Sequence, residues 1–184
     1  MQPLMAKRHK QHEFTGMGFN KPSDVFGGSL LKGNPKGKRP LDTKMPTFLT
    51  LRASKSTLRL PKTFKLVDDL IQTTAKKYGM RIYKSSNVGN HLHLVFKVSK
   101  LELWAPFIRE LTGRIAQAVM AVVGAAGAAG FWLYRPHTRI VRGWKKAYQA
   151  VKDYIHLNQL EAEGHISRKE ISSLKQLRLM WADG

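Results

Sequence analysis

Gly89-Asn90-His91-Leu92-His93-Leu94-Val95-Phe96-Lys97-Val98 is the stretch from which the rest of the chain is best read. It has the marks of a β-strand: β-branched and aromatic residues, no proline, and a Gly-Asn turn signal in front. Side chains alternate across a strand with a period of two. One face therefore carries Leu92, Leu94, Phe96 and Val98, all apolar. The other carries His91, His93, Val95 and Lys97. Two imidazoles side by side, off the core face, suit a divalent metal ion, because neutral imidazole is a common metal ligand. Two polar residues on the wet side of a strand would look the same, so the strand alone does not choose.

The composition narrows the choice. The 184 residues suffice for one domain with a core plus an extension. Thirty-two Lys and Arg oppose twelve Asp and Glu, a formal charge of +20. Such a field attracts polyanions, nucleic acid above all. Residues 1–45 carry nine of the cations and three of the acids, leaving +14 on the remainder, so the folded part is itself basic. There is no cysteine, which excludes disulfides, zinc ribbons and thiol catalysis. Met1–Gln11 is basic without an apolar h-region, so a cytoplasmic protein is expected. Residues 115–134 (IAQAVMAVVGAAGAAGFWLY) are uncharged over twenty positions. Alanine and glycine dominate them and supply little transfer free energy, so we read a buried helix end and a small-residue loop, with no membrane partner.

Taken in order, residues 1–45 are rich in Lys, Gly and Pro, show no sustained period, and read as a mobile, disordered basic arm. A strand is expected at 46–53, with Leu49 and Leu51 on one face and Phe48, Thr50 and Arg52 on the other. Pro61 opens a helix that Gly79 closes, with Phe64, Val67, Leu70, Ile71 and Thr74 as its stripe. A short strand at 80–84 and a turn at 85–90 lead into the His strand as a hairpin. A helix follows from 100 to about 123, then a strand over 131–142 interrupted at Pro136. Helices over 144–163 and from Ser167, whose spacing to Glu170 forms a capping box, complete the chain. The order is β-α-β-β-α-β followed by extra C-terminal helices, an α+β protein with a ferredoxin-like antiparallel sheet. The units are an arm over 1–45, a domain over 46–164 and a last helix over 165–184. That architecture places helices on one sheet face and leaves the other open, so His91, His93 and Lys97 should lie on an open face beside Arg52.

The third helix, GWKKAYQAVKDYIHLNQLEAEG, has an apolar stripe of Trp144, Ala147, Tyr148, Val151, Ile155 and Ala162. Tyr154 and Asn158 are four apart and share one side at the margin of that stripe. A His-apolar-His strand followed some sixty residues on by a helical Tyr-x-x-x-Asn resembles the HUH superfamily of nucleases. The single-tyrosine insertion-sequence transposases and their REP-associated relatives are the nearer likeness. Asn90-His91-Leu92-His93-Leu94-Val95 resembles that family's Asn-His-Val-His-Leu-Leu segment, and Tyr154-Ile155-His156-Leu157-Asn158 its Tyr-Ile-x-x-Asn. Phe131-Trp132, with Arg139 and Val141, resembles the strand before its catalytic helix. The likeness runs from about Pro46 to Glu163.

The resemblance implies cutting and rejoining of single-stranded or hairpin DNA with a divalent ion, Mg²⁺ or Mn²⁺. His91 and His93 would be two ligands, Asn158 the third through its amide oxygen, and Tyr154 the nucleophile. Two departures stand out: Val88-Gly89 where many members have Met-Pro, and Gln159 where a proline often follows the Asn. Gln159 is an alternative amide ligand, though at i+5 from Tyr154 it points less well to the same side. In some relatives two chains exchange the tyrosine helix, so a homodimer is compatible with the likeness. Arg52, Lys97, Arg139, Arg142, Lys145 and Lys146 are the candidates for holding the DNA backbone. Trp132 and Tyr134 could stack bases. The competing reading is a non-catalytic ferredoxin-like module that binds nucleic acid, which gives Tyr154 and Asn158 no role.

Overall fold

The computed structural model describes residues 24–28, 38–125, 127–142 and 144–166, with the side chains of 144–147 excepted. The elements are β1 (Val25–Phe26), β2 (Thr47–Arg52), α1 (Pro61–Lys77), β3 (Arg81–Asn87), β4 (His91–Lys97), α2 (Trp104–Val122), β5 (His137–Ile140) and α3 (Trp144–Ala162). The expected last helix lies outside the described residues. All strand pairs are antiparallel and run β1-β5-β2-β4-β3 across one sheet. Strands β5-β2-β4-β3 with α1 and α2 form the ferredoxin-like core expected from the sequence.

Local sequence sets the boundaries. Pro61 sits in the first turn of α1, where its missing N–H has no partner to lose. The helix ends where Gly79 takes φ +62°. Gly79 N donates to Lys76 O at 3.1 Å and Met80 N to Ala75 O at 2.8 Å, which satisfies two of the last carbonyls. The same pair of bonds, from Gly164 and His165, stops α3. Pro136 does break the expected 131–142 strand. What remains is an isolated bridge between Trp132 and Ala53, then β5.

The sheet face bearing Leu49, Leu51, Leu92, Leu94 and Phe96 packs against α1 and α2 through Val67, Ile71, Phe107, Leu111 and Ile115, all buried. Phe96 is the hub, stacked on Trp104 at 6.1 Å and tilted against Phe107 at 5.5 Å. This layer supplies most of the apolar burial that stabilises the fold. Phe64, expected in the α1 stripe, is 44% exposed instead. It lies in the first turn of α1, and the Arg59 guanidinium covers its ring at 5.3 Å.

Two expectations are corrected. The second sheet face is not open. Helix α3 lies on it, and Val151 and Ile155 pack with Phe48, Val95 and Val141 in a second, smaller core. The stripe on α3 needs an apolar partner, and alternating Phe48 and Val95 supply one. The basic arm is also not wholly outside the fold. Val25 and Phe26 pair with Arg139 and Thr138 as an edge strand. The strand is held by ion pairing of Asp24 with Arg142 at 2.8 and 2.9 Å and by Arg39, which donates to Thr138 Oγ1 at 2.6 Å and lies over the Phe26 ring. Tertiary contacts, not local periodicity, order this segment. Among the described residues no helix is long and apolar enough to cross a membrane.

Candidate active site

The site is built on β4, an interior strand flanked by β2 and β3. Thr50 and Ser86 stand opposite His93, and Arg52 stands opposite His91. All five share the face that α3 covers. The hairpin before β4 is pinned by Asn87, whose Oδ1 accepts from Gly89 N at 3.1 Å and whose Nδ2 donates to Leu58 O at 2.7 Å. The start of β4 is therefore fixed from both sides.

The two imidazoles meet edge to face with centroids 4.6 Å apart. His91 Nδ1 lies 2.5 Å from Asn90 Oδ1. A carboxamide oxygen only accepts, so Nδ1 carries the proton and Nε2 presents its lone pair. Burial, and next to it the Arg52 charge, push the His91 pKa down to about 4. The ring is thus neutral at pH 7, the form that ligates metals. His93 is fully buried, and its Nδ1 lies 3.2 Å from Thr50 Oγ1. A hydroxyl on that edge orients the ring and turns Nε2 away from β2, as outer-shell partners of ligating histidines do. Phe48 stacks on the same ring at 5.5 Å.

Helix α3 brings Tyr154 to this pair. Its ring meets His93 at 5.5 Å and Phe48 at 6.3 Å, both edge to face. Asn158 lies one turn further along α3 and is 8% exposed. Its Nδ2 donates to Tyr154 O at 2.9 Å. The nitrogen is spent on the helix, so the acceptor oxygen is the atom that could meet a cation. Gln159 turns elsewhere. It donates to Glu163 Oε1 at 3.1 Å and lines a groove with Arg59 and Ser86 at the outer edge of β3. Among the described residues no cluster of three His, Cys, Asp or Glu occurs. Of the two amide side chains that the sequence offers, Asn158 lies on α3 one turn from Tyr154, whereas Gln159 is engaged with Glu163.

The cationic candidates divide. Arg52 is half-buried beside His91. Arg139 sits on the same sheet face, opposite Phe48. Lys97 is four residues from His93 along β4, about 13 Å at strand spacing, and is not brought to the site. Arg142 spends its guanidinium on Asp24 and lies 3.9 Å from Asp42, so its structural part is to hold β1. The side chains of Lys145 and Lys146 lie outside the described residues. Trp132 is half-buried and donates its Nε1–H to Thr112 O at 3.0 Å, whereas Tyr134 is 37% exposed.

Sequence reasoning missed Thr50 and Asn90 as supports of the histidines, and Ser86 as the neighbour of His93 on β3. Asn90 adjoins its partner, and the adjacency was a usable signal. Thr50 and Ser86 reach His93 only through strand register, which no local pattern encodes. Ser86 is 7% exposed, and its hydroxyl has no hydrogen-bond partner among the described residues.

No protein-family model matches the chain, and no curated protein matches it. Among solved structures, the chain is similar to a REP-associated tyrosine transposase bound to a REP hairpin. The TM-score is 0.56 and the identity 15%, over 72% of this chain and 76% of that one. A structure provisionally assigned as a transposase, from Deinococcus radiodurans R1, aligns at a TM-score of 0.45 and 13% identity over 68% of this chain and 98% of that one. The first of these shares the α+β fold described above.

Proposed function

We propose that this chain is a metal-dependent single-stranded DNA endonuclease and strand transferase of the HUH tyrosine-transposase type. The observation that carries the reading is the meeting of the Tyr154 ring with His93 at 5.5 Å, from elements some sixty residues apart. A neutral His91 with a fixed tautomer, an oriented His93 and the Asn158 carboxamide oxygen form a donor set that suits Mg²⁺ or Mn²⁺ with positions left for phosphate oxygens. The fold shared with a transposase bound to a DNA hairpin agrees with this reading. So does the charge of +20.

In this reading His91, His93 and Asn158 would hold the ion, which would supply charge to polarise the scissile phosphate and offset its developing negative charge. Arg52 adds a positive charge beside it. The Tyr154 phenol oxygen attacks phosphorus in line. The bond to the 3′ oxygen breaks, the phenol loses its proton, and the departing oxygen gains one. A 5′-phosphotyrosine and a free 3′-hydroxyl result, and the bond energy is conserved for rejoining. Phe48 and Ile155 shield the inner side of the site from water.

The test is incubation of wild type and Tyr154→Phe with single-stranded and hairpin oligonucleotides and Mn²⁺, resolved on a denaturing gel. Wild type should give cleaved DNA and a slow protein–DNA band, and Tyr154→Phe neither. Equal behaviour of the two proteins removes Tyr154 as the nucleophile.

A further inference from the structure

Beyond Arg52 the row of side chains that starts at His91 continues onto the segment after Trp132, which carries Tyr134, one of the two aromatics expected from the sequence to stack bases. The bridge between Ala53 and Trp132 places Leu133 opposite Arg52, and Leu133 N donates to Arg52 O at 2.9 Å. Trp132 turns to the helical core, where it packs with Phe131 and Ala53. Leu133 and Tyr134 turn outward, 47% and 37% exposed. Arg135 follows, also exposed, and its carbonyl accepts from Gly28 N at 3.0 Å. The segment is thus fixed at both ends, while a leucine and a tyrosine at its tip stand in solvent between two arginines.

Scattered exposed apolar residues need no explanation. Here position and charge supply one. The tip lies two strand spacings from His91, roughly 10 Å, which one nucleoside adjoining a phosphate at the imidazoles covers. Arg52 and Arg135 flank it with positive charge, so a polyanion with flat apolar groups is the complementary partner. We propose that Leu133 and Tyr134 form the platform on which the unpaired base next to the scissile phosphate packs, with Arg52 and Arg135 holding the adjoining backbone. The proposal rests on the nuclease reading for its register and names the part of the substrate that this edge would meet. Stacking on such a surface tolerates any base, because every base has a π-face.

The test compares two labelled ligands of equal charge by fluorescence anisotropy without metal: a twelve-residue oligothymidylate and the same sugar-phosphate chain lacking every base. Wild type should prefer the thymidylate. The double variant Leu133→Ala/Tyr134→Ala should lose about tenfold on the thymidylate, within the range for base stacking, and less than twofold on the base-free chain. Both side chains are exposed, so the melting temperature should not move. Equal losses on both ligands, or none on either, overturn the platform. So does tighter, platform-dependent binding of a poly-glutamate peptide, which would make the tip a protein-docking site. A base-dependent platform in a protein whose Tyr154→Phe variant still cleaves would remove Tyr154 as the nucleophile and leave the platform standing; one in a protein that never cleaves would sink the nuclease reading alone.

Discussion

Ile155 decides whether the tyrosine helix stays on the histidine face. It is fully buried and belongs to a small core that, among the described residues, also contains buried Phe48, Val95, Val141 and Val151. Ile155→Ala deletes three buried carbon groups at about 0.8 kcal/mol each and leaves a cavity, for a cost of about 3 kcal/mol. Leu111→Ala, in the larger core on the opposite face, should cost a similar amount and serves as the control. Urea denaturation measures both losses, and native-state hydrogen exchange locates them. In Ile155→Ala the amides of α3 should exchange through a local opening well below the global unfolding free energy, while α1 and α2 stay protected. In Leu111→Ala all elements should weaken together. DNA adduct formation at a permissive temperature should then fall much further in Ile155→Ala than in Leu111→Ala, because only the former unseats Tyr154 and Asn158. A loss below about 1 kcal/mol, or α3 exchange no faster than that of α1, would refute the idea that the small core docks α3 on the histidine face.

Other outcomes follow from the same geometry. Thr50→Val removes the hydroxyl at His93 Nδ1 while keeping the β-branched shape. Mn²⁺ affinity, read by calorimetry, should fall about tenfold with little change in melting temperature. His137 lies opposite Thr50 with its pKa pushed down to about 4 by burial and by the charges of Arg139 and Arg39. The unfolded chain, with the ordinary value near 6.5, takes up the proton first on acidification. Stability is therefore full above pH 6.5 and is lost as pH falls toward 4, by about 2 kcal/mol at pH 5. His137→Gln should make that part of the stability–pH curve shallower, with the equally depressed His91 keeping its own share, and an unchanged slope would contradict the assigned burial. Asp24→Asn weakens the ion pair with Arg142 that holds β1. Val25 and Phe26 amides should lose protection while the rest of the sheet keeps it.

Much of this arrangement was legible from sequence because it is written locally. The alternation of Leu92, Leu94 and Phe96 with His91, His93 and Val95 fixes which way the imidazoles point. Pro61 and Gly79 mark both ends of α1. The four-residue spacing of Tyr154 and Asn158 puts them on one side of α3. What escaped was long-range. The α3 stripe reveals that the helix needs an apolar partner but not which one, so the covered state of the His face could not be read. His93 is consequently fully buried rather than half-exposed. The two-residue strand at Val25 and Phe26 is too short for any period and depends on Asp24, Arg39 and Arg142. Thr50 and Ser86 acquire their positions from strand register alone.

The central claim concerns one atom, the phenol oxygen of Tyr154. Protein incubated with Mn²⁺ and a single-stranded oligonucleotide, then digested with protease and nuclease, can be sequenced by tandem mass spectrometry. The account predicts a nucleotide mass carried on Tyr154 through a phosphodiester, absent when His91 and His93 are replaced by alanine. Modification of another residue, or cleavage with no covalent species at all, would contradict it.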